Sequence, residues 1–318
     1  MRHIEDFNEG EKIIGHFLCK RKHYGETKAG KAYLMLTLAD KTASIEAKVW
    51  DIGPDIEDFE QGDFIKVKGE TQTYREQIQL IVYRLRKSLD SEYNIADYVP
   101  VTDKDIAGLT DGIGELTRTI TNPFLLAVVE GIYARPDVSE RFSRHSAGKV
   151  MHHAYAGGLA EHTLFVAQTC DFLSGRYLHI DRDLCIAGAL LHDVGKIYEY
   201  SSFPQNEYTD DGNLLGHIYM TAKMIEEEIA KAPDFPPELR KLLIHMILSH
   251  HGEHEYGSPK LPVTIEAMVL HIADNTDAKL KSIETSLNER SRGQYTAKNW
   301  MLKRALRRKD DDNTGDMT

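Results

Sequence analysis

Twelve of the fifteen histidines lie between His145 and His271. In chain order this stretch offers His162 in GGLAEHT, His192 and Asp193 in LLHDVGK, and His217 in LLGHI. It continues with His250 and His251 in LSHHGE and ends with Asp274 in LHIADNTDA. A lone histidine is usually a surface group or a satisfied core group. Here five polar points recur beside apolar residues that should face a core, so they must satisfy one another or bind an ion. Imidazole and carboxylate without thiolate suit Mn²⁺, Fe²⁺, Co²⁺, Ni²⁺ or Zn²⁺ better than calcium. The Asp193 carboxylate can serve two ions with imidazoles on either side. Two ions about 3.5–4 Å apart are the arrangement that clamps the attacking and leaving oxygens at phosphorus.

Helices must position these groups. TNPFLLAVVEGIYARP places Pro123 in a first helical turn and a breaker, Pro136, at the end. Further helices are expected near 158–175, 181–192, 214–231, 237–250 and 263–280. Facing helices of a bundle can build a metal site in their core.

The chain ahead of the bundle reads differently. KAYLMLTLAD sets Leu34, Leu36 and Leu38 against Tyr33, Met35 and Thr37, and SIEAKVW sets Ile45, Ala47 and Val49 against Glu46, Lys48 and Trp50. DFIKVKGETQTY places Ile65 and Val67 opposite Lys66 and Lys68. A period of two means half-buried strands. Five short strands between about residues 13 and 87, with a short helix expected near 55–60, suggest a small closed β-barrel of the OB-fold type. The fold class is therefore multidomain α and β: an N-terminal OB-fold barrel at 1–90, a connector at 91–118, an all-α helical bundle at 119–285, and a charged C-terminal helix and tail at 286–318.

OB-folds bind single-stranded nucleic acid by stacking bases on aromatic rings while basic residues track the backbone. The residues expected to share such a face are Lys20, Lys22, Tyr24, Lys28, Lys31, Tyr33, Lys48, Trp50, Tyr74 and Arg75. An ordinary solvated face is the alternative, with Trp50 packed on the connector. The net charge of −11 counts weakly against a protein that coats nucleic acid. Residues 1–90, however, hold 15 Lys+Arg against 16 Asp+Glu, so the acidic excess lies in the second part. The three cysteines lack CxxC spacing, which suggests a reducing cytoplasm rather than a disulfide or zinc-ribbon framework. No apolar stretch approaches a membrane span, and no signal peptide is read at the N-terminus.

The order H…HD…H…HH…D resembles the HD-domain superfamily of metal-dependent phosphohydrolases. The resemblance implies one metal on His162, His192, Asp193 and Asp274, and a second on Asp193, His217, His250 and His251. It makes Asp193 and Lys196 the catalytic pair, with Lys196 stabilising the phosphoryl group. Lys196 could instead only complement a helix C-terminus. His152 and His153 in KVMHHAYAGG would touch substrate phosphate, or else pack. His271, one turn before Asp274, could replace a ligand.

The barrel followed by MHHAYAGGLAEHT, GALLHDVGK, YTDDGNLLGHI and HMILSHHGEHEYGSP resembles the YhaM family of bacterial 3′-5′ exoribonucleases over about residues 10–285. That resemblance implies a Mn²⁺-dependent enzyme, with Co²⁺ or Fe²⁺ as substitutes. It would shorten single-stranded RNA, and single-stranded DNA, to 5′-mononucleotides, and it would form homo-oligomers. Two readings compete: a small-nucleotide phosphodiesterase with a regulatory barrel, and a non-catalytic single-strand-binding protein.

Overall fold

A computed structural model describes residues 2–27, 30–75, 77–149, 153–288 and 293–309. The chain divides into two compact units. Residues 1–101 with 203–205 form the first, and residues 102–202 with 206–318 the second.

The first unit is a closed five-stranded barrel. Its strands are β1 (Lys12–Glu26), β2 (Ala32–Ala39), β3 (Ser44–Val49), β4 (Phe64–Tyr74) and β5 (Gln77–Lys87), in the order β1-β2-β3-β5-β4. All pairs are antiparallel except β3 with β5. Alternation puts Leu34, Leu36, Leu38, Ile45, Ala47, Val49, Ile65 and Val67 in the core, where all are buried. The register pairs Leu34 with Val49 and Met35 with Lys48, so Tyr33, Lys48 and Trp50 fall on the outer surface. No helix forms at 55–60. There the chain turns and makes a bridge from Ile56 to Leu85, with Phe59 as its buried anchor. A single apolar anchor suits a turn, whereas a helix needs a stripe of them.

The second unit is helical: α1 (Ile106–Arg118), α2 (Pro123–Tyr133), α3 (Pro136–Arg141), α4 (Gly158–Ser174), α5 (Arg182–Leu191), α6 (Lys196–Glu199), α7 (Asp210–Ile229), α8 (Pro237–Ser249) and α9 (Ile265–Asn288). Half of the expected connector is thus a helix. The Asp105 carboxylate caps α1 by accepting from the backbone of Ala107 and Gly108, and Leu109, Ile113 and Thr117 form its buried stripe. Its three glycines masked this periodicity. The C-terminal expectation changes too. The described residues 293–309 form no helix but a folded-back segment bridged at Tyr295–Arg307 and Asn299–Arg304. Helices α4 and α5 pack as a central pair, with α9 across both. Their core joins Leu159, Val166, Leu190, Leu191, Met246 and Leu270.

Candidate metal centre and nucleic-acid interface

The apolar residues that bury α4 and α5 also bury their polar ends. His162 lies in the second turn of α4, and His192 ends α5; both are 0% exposed. Asp193 follows in the turn to α6. There Gly195 packs so closely that a Cβ would sit 2.6 Å from the His217 carbonyl oxygen. His217 begins the long part of α7 directly after Gly216, whose φ of 73° breaks the helix. That left-handed residue frees the His217 backbone N–H to bond Glu199 at 3.1 Å. His250 ends α8, and His251 follows it. Asp274 projects from α9.

The hydrogen bonds set the tautomers. The Nδ1 atoms of His192, His250 and His251 face the carbonyl oxygens of Ala189, Ile247 and Tyr256 at 2.7, 2.7 and 2.8 Å. A carbonyl only accepts, so each Nδ1 carries the proton. His162 Nδ1 donates to Asp277 at 2.5 Å, and His217 Nδ1 to Glu199 at 3.0 Å. Five imidazoles therefore turn Nε2, with its lone pair, toward one centre. Such fixing of a ring by an outer acceptor is the usual preparation of a metal-ligating histidine.

Asp193 divides that centre. Its Oδ2 lies 3.4 Å from both His162 Nε2 and His192 Nε2, and its Oδ1 lies 3.4 Å from His217 Nε2 and 3.7 Å from His250 Nε2. Asp274 Oδ1 is 3.3 Å from His162 Nε2. The ligand atoms of His162, His192 and Asp193 cluster within 4.8 Å, as do those of His217, His250 and His251. Bonds of about 2.0–2.2 Å to a metal place neighbouring ligand atoms roughly 3.0–3.6 Å apart, close to the spacing found here. Among the described residues, Asp193 Oδ1, His217 Nε2 and His250 Nε2 are buried without a hydrogen-bond partner. Buried polar atoms in that state are costly, and a cation would satisfy all three. These residues fit divalent metal, which the imidazole Nε2 atoms on either side of Asp193 would hold.

The electrostatics agree. Burial alone would raise the Asp193 carboxyl, but Lys196, His192 and His162 outweigh it and hold it well below the usual carboxylate range. Burial pushes His250 well below its ordinary value, and burial with the neighbouring His217 brings His251 down to about 4, so both are neutral and open to a metal at pH 7. Burial opposes a charge on His162, yet the carboxylates of Asp193, Asp274 and Asp277 prevail and raise it. A cation there competes with a proton. Asp274 and His251 are only partly buried while His162, His192, Asp193, His217 and His250 are buried, so the cluster is least covered on the side of the first two.

Three expectations change. Lys196 is buried and its Nζ bonds Asp193 Oδ2 at 2.7 Å, so it starts from the ligand rather than from open space. His153 is 2% exposed, with Nε2 on Asp277 at 2.7 Å and Nδ1 on the Tyr155 hydroxyl at 2.8 Å. No ring nitrogen remains for a phosphate; His153 instead steadies Asp277 behind His162. His152 lies outside the described residues, as does Lys28. His271 lies outside the His/Asp clusters found among the described residues. Its Nδ1 donates to the His250 carbonyl at 2.9 Å and its ring packs on Gly252. Asp277 and Glu199 were missed as functional residues, although Asp277 stands in the quoted LHIADNTDA three residues after Asp274, and Glu199 follows LLHDVGK three residues after Lys196.

On the barrel, the Tyr33 and Trp50 rings lie 4.9 Å apart, and Lys48 Nζ sits 5.4 Å from the Trp50 ring and 5.0 Å from that of Tyr74. Arg75 stacks on Tyr74 at 5.4 Å. Trp50, Tyr74 and Tyr24 are 41%, 48% and 58% exposed, open to a base. Lys20 and Lys31 are exposed, Lys31 in a solvated pair with Asp51 at 3.0 Å. Lys22 differs. Its ammonium is drawn onto the Phe59 carbonyl, with Asp58 at 3.3 Å, and its side chain is 10% exposed. It staples β1 to the β3–β4 loop rather than reaching outward.

Comparison with known proteins agrees with this division. A model described as HD domain matches residues 159–279, and one described as OB-fold nucleic acid binding domain matches residues 19–87. Solved structures also match parts of the chain. The second OB-fold domain of replication protein A from Methanococcus maripaludis is 22% identical over 28% of this chain and 98% of that chain, with a TM-score of 0.21. An OB domain from Thermoplasma acidophilum is 16% identical over 29% and 90%, TM-score 0.23. A mitochondrial single-stranded DNA binding protein from S. cerevisiae is 11% identical over 26% and 97%, TM-score 0.22. The chain spans 46% of the p204 HINb domain chain and 64% of a replication protein A heterotrimer chain that it also matches. The strand order, the helical bundle and the two matched models make this chain a two-domain protein: an OB-fold nucleic acid binding domain followed by an HD domain, the domain of metal-dependent phosphohydrolases.

Proposed function

We propose that the protein is a metal-dependent 3′-5′ exonuclease of single-stranded RNA, also active on single-stranded DNA, that releases 5′-mononucleotides. The observation that supports it most is the converging set of five Nε2 lone pairs around a carboxylate with one oxygen in each half. His162, His192, Asp193 and Asp274 would hold one divalent ion, and Asp193, His217, His250 and His251 the other. Mn²⁺ fits such imidazole–carboxylate sets, as do Co²⁺ and Fe²⁺. Metal bound there supplies hydroxide at neutral pH and offsets charge on phosphoryl oxygens.

The chain's own groups do the rest. Asp277 and Glu199 keep His162 and His217 in one tautomer and one orientation. Lys196, held in reserve on Asp193, sits one turn past His192 and can transfer one of its N–H bonds to a phosphoryl oxygen as negative charge gathers there. On the barrel, Trp50, Tyr33 and Tyr74 stack bases while Lys48, Arg75, Lys20 and Lys31 follow the phosphates. The three free cysteines are all buried, which suits a reducing cytoplasm. No helix among the described residues is long and apolar enough to cross a membrane.

Product analysis tests this reading. Single-stranded RNA labelled at either end is incubated with Mn²⁺ or Mg²⁺, beside cyclic dinucleotides and dNTPs. A 5′-label retained on a shrinking ladder, with 5′-mononucleotides released, supports the proposal, and Asp193→Ala should abolish it while RNA binding persists. Hydrolysis of the small nucleotides alone would refute it.

A further inference from the structure

The second unit is acidic, yet its last described segment is not. Residues 293–309 carry Lys298, Lys303, Arg304, Arg307, Arg308 and Lys309 and no Asp or Glu. The segment is folded rather than trailing. Thr296 N bonds the Leu306 carbonyl and Arg308 N the Gln294 carbonyl, each close to 2.9 Å, which closes a two-stranded turn. Buried Asn299 fastens that turn to α9, its Nδ2 reaching the Ser282 carbonyl at 3.2 Å and the Ser282 and Ser286 hydroxyls at 2.9 Å. Buried Arg308 adds a bond to the Leu287 carbonyl at 2.6 Å. The anchors point inward, and the other side chains are left outside. Lys298, Lys303, Arg304 and Lys309 are exposed, and so are two aromatic rings, Tyr295 at 57% and Trp300 at 59%.

Exposed aromatic rings interleaved with cations are the combination that single-strand binding surfaces use, the rings stacking bases while the cations neutralise phosphates. The position adds to this. The turn hangs on the same helix that presents Asp274 to the metal centre. From Asp274 to Ser282 is about 12 Å along α9, and from Asp274 to Leu287 about 20 Å, at 1.5 Å per residue. That distance takes roughly four to six nucleotides at about 3.4 Å each. In a unit whose sequence carries more Asp and Glu than Lys and Arg, this acid-free turn is a place where a polyanion would settle.

We propose that the 293–309 turn is a second single-stranded RNA-binding element, seated within the HD unit itself, that holds the strand a few nucleotides from the scissile phosphate. Trp300 and Tyr295 stack bases, and Lys298, Lys303 and Arg304 contact phosphates. This rests on the nuclease reading above. It predicts that the enzyme gains affinity and rate as the substrate lengthens from two to about six nucleotides, with the gain coming from this turn.

The test uses the full chain. Binding of 5′-labelled oligouridylates of two, six and twelve nucleotides is measured by fluorescence anisotropy in EDTA across a salt series. Wild type is compared with Trp300→Ala, Trp300→Phe and the triple variant Lys298→Gln, Lys303→Gln, Arg304→Gln. Hydrolysis of a dinucleotide in Mn²⁺ is followed in parallel. Trp300→Ala should weaken binding of the six-nucleotide strand roughly 5- to 150-fold, and Trp300→Phe should restore most of it. The triple variant should lower the slope of log K against log salt by about 2, at about 0.7 per phosphate contact on a single strand. Dinucleotide hydrolysis should be unchanged in all variants, which also shows that they fold. A chain ending at Lys309, lacking the following acidic residues, should bind at least as well as wild type. Unaltered affinity and slope in the variants would overturn the proposal, as would polyglutamate competing as well as RNA for the turn. A wild type that binds RNA through the turn but hydrolyses no phosphodiester would instead refute the nuclease reading and leave this one standing.

Discussion

Glu199 touches no metal in this account, yet the second ion should depend on it. Its carboxylate takes the His217 ring at 3.0 Å through either oxygen and the His217 backbone N–H at 3.1 Å. It is 6% exposed, so no water stands ready to replace it. Burial raises its carboxyl, but bonds and charge from His217, together with Lys196, bring it below its ordinary value. It is therefore ionised at pH 7 and makes the imidazole more basic toward a metal. Glu199→Gln keeps the shape and removes the charge; the amide can present an oxygen to only part of this set. Loss of such an outer partner typically costs 10–100-fold in metal affinity, which is about 1.4–2.8 kcal/mol. The loss should fall on one ion only, because His162 and His192 lean on Asp277 and Ala189 instead. Competition titration of Mn²⁺ against a chelator would show two ions in wild type, and in Glu199→Gln one ion of unchanged affinity and one weakened 10- to 100-fold. Equal weakening of both, or of neither, would refute the assignment of His217 to a separate half.

Three other predictions follow from different parts of the molecule. Trp50→Ala should weaken single-stranded RNA binding by about 1–3 kcal/mol in a gel-shift or anisotropy assay, since base–aromatic stacking has that magnitude. Gly252→Ala should lower Tm, because Gly252 has a φ of +80° and a Cβ would sit 2.1 Å from the His271 ring that supports His250; a cost of about 1–3 kcal/mol is expected for a forced left-handed residue. Asp183 accepts from Thr121 N and Oγ1 and from Asn122 N at 2.7–2.8 Å; burial raises its carboxyl, but these bonds win and hold it below its usual value. A depressed carboxyl stabilises the fold above its unfolded value near 4 and loses that contribution as pH falls, so the deficit of Asp183→Asn in chemical unfolding should be full at pH 7 and shrink toward pH 3.

The barrel strands and the clustering of the spaced His and Asp residues were legible because each rests on a local rule. Alternation at Leu34–Leu38 and Ile45–Val49 reports one buried face, and His192–Asp193 at the end of an apolar helix reports a polar pair aimed into a core. What escaped depends on contacts remote in sequence. Asp277 is identifiable only when α9 crosses α4, 115 residues away along the chain. Lys22 looks like any surface lysine until the β3–β4 loop folds over it, and His153 looks like a cleft residue until Tyr155 and Asp277 close on both its nitrogens. The α1 helix was hidden by glycines that lower propensity, and the packing of Leu109 and Ile113 overrides that cost.

The proposed function requires Asp193 to serve both halves of the metal centre, one carboxylate oxygen in each. Its most direct test is a metal count on the full chain after Mn²⁺ reconstitution, in wild type and in Asp193→Ala, with RNA hydrolysis measured on the same samples. Two ions per chain are expected in wild type, and loss of both tight sites, with hydrolysis, in the variant, because each half takes one oxygen of that carboxylate. Two tightly bound ions and undiminished hydrolysis in Asp193→Ala would contradict it.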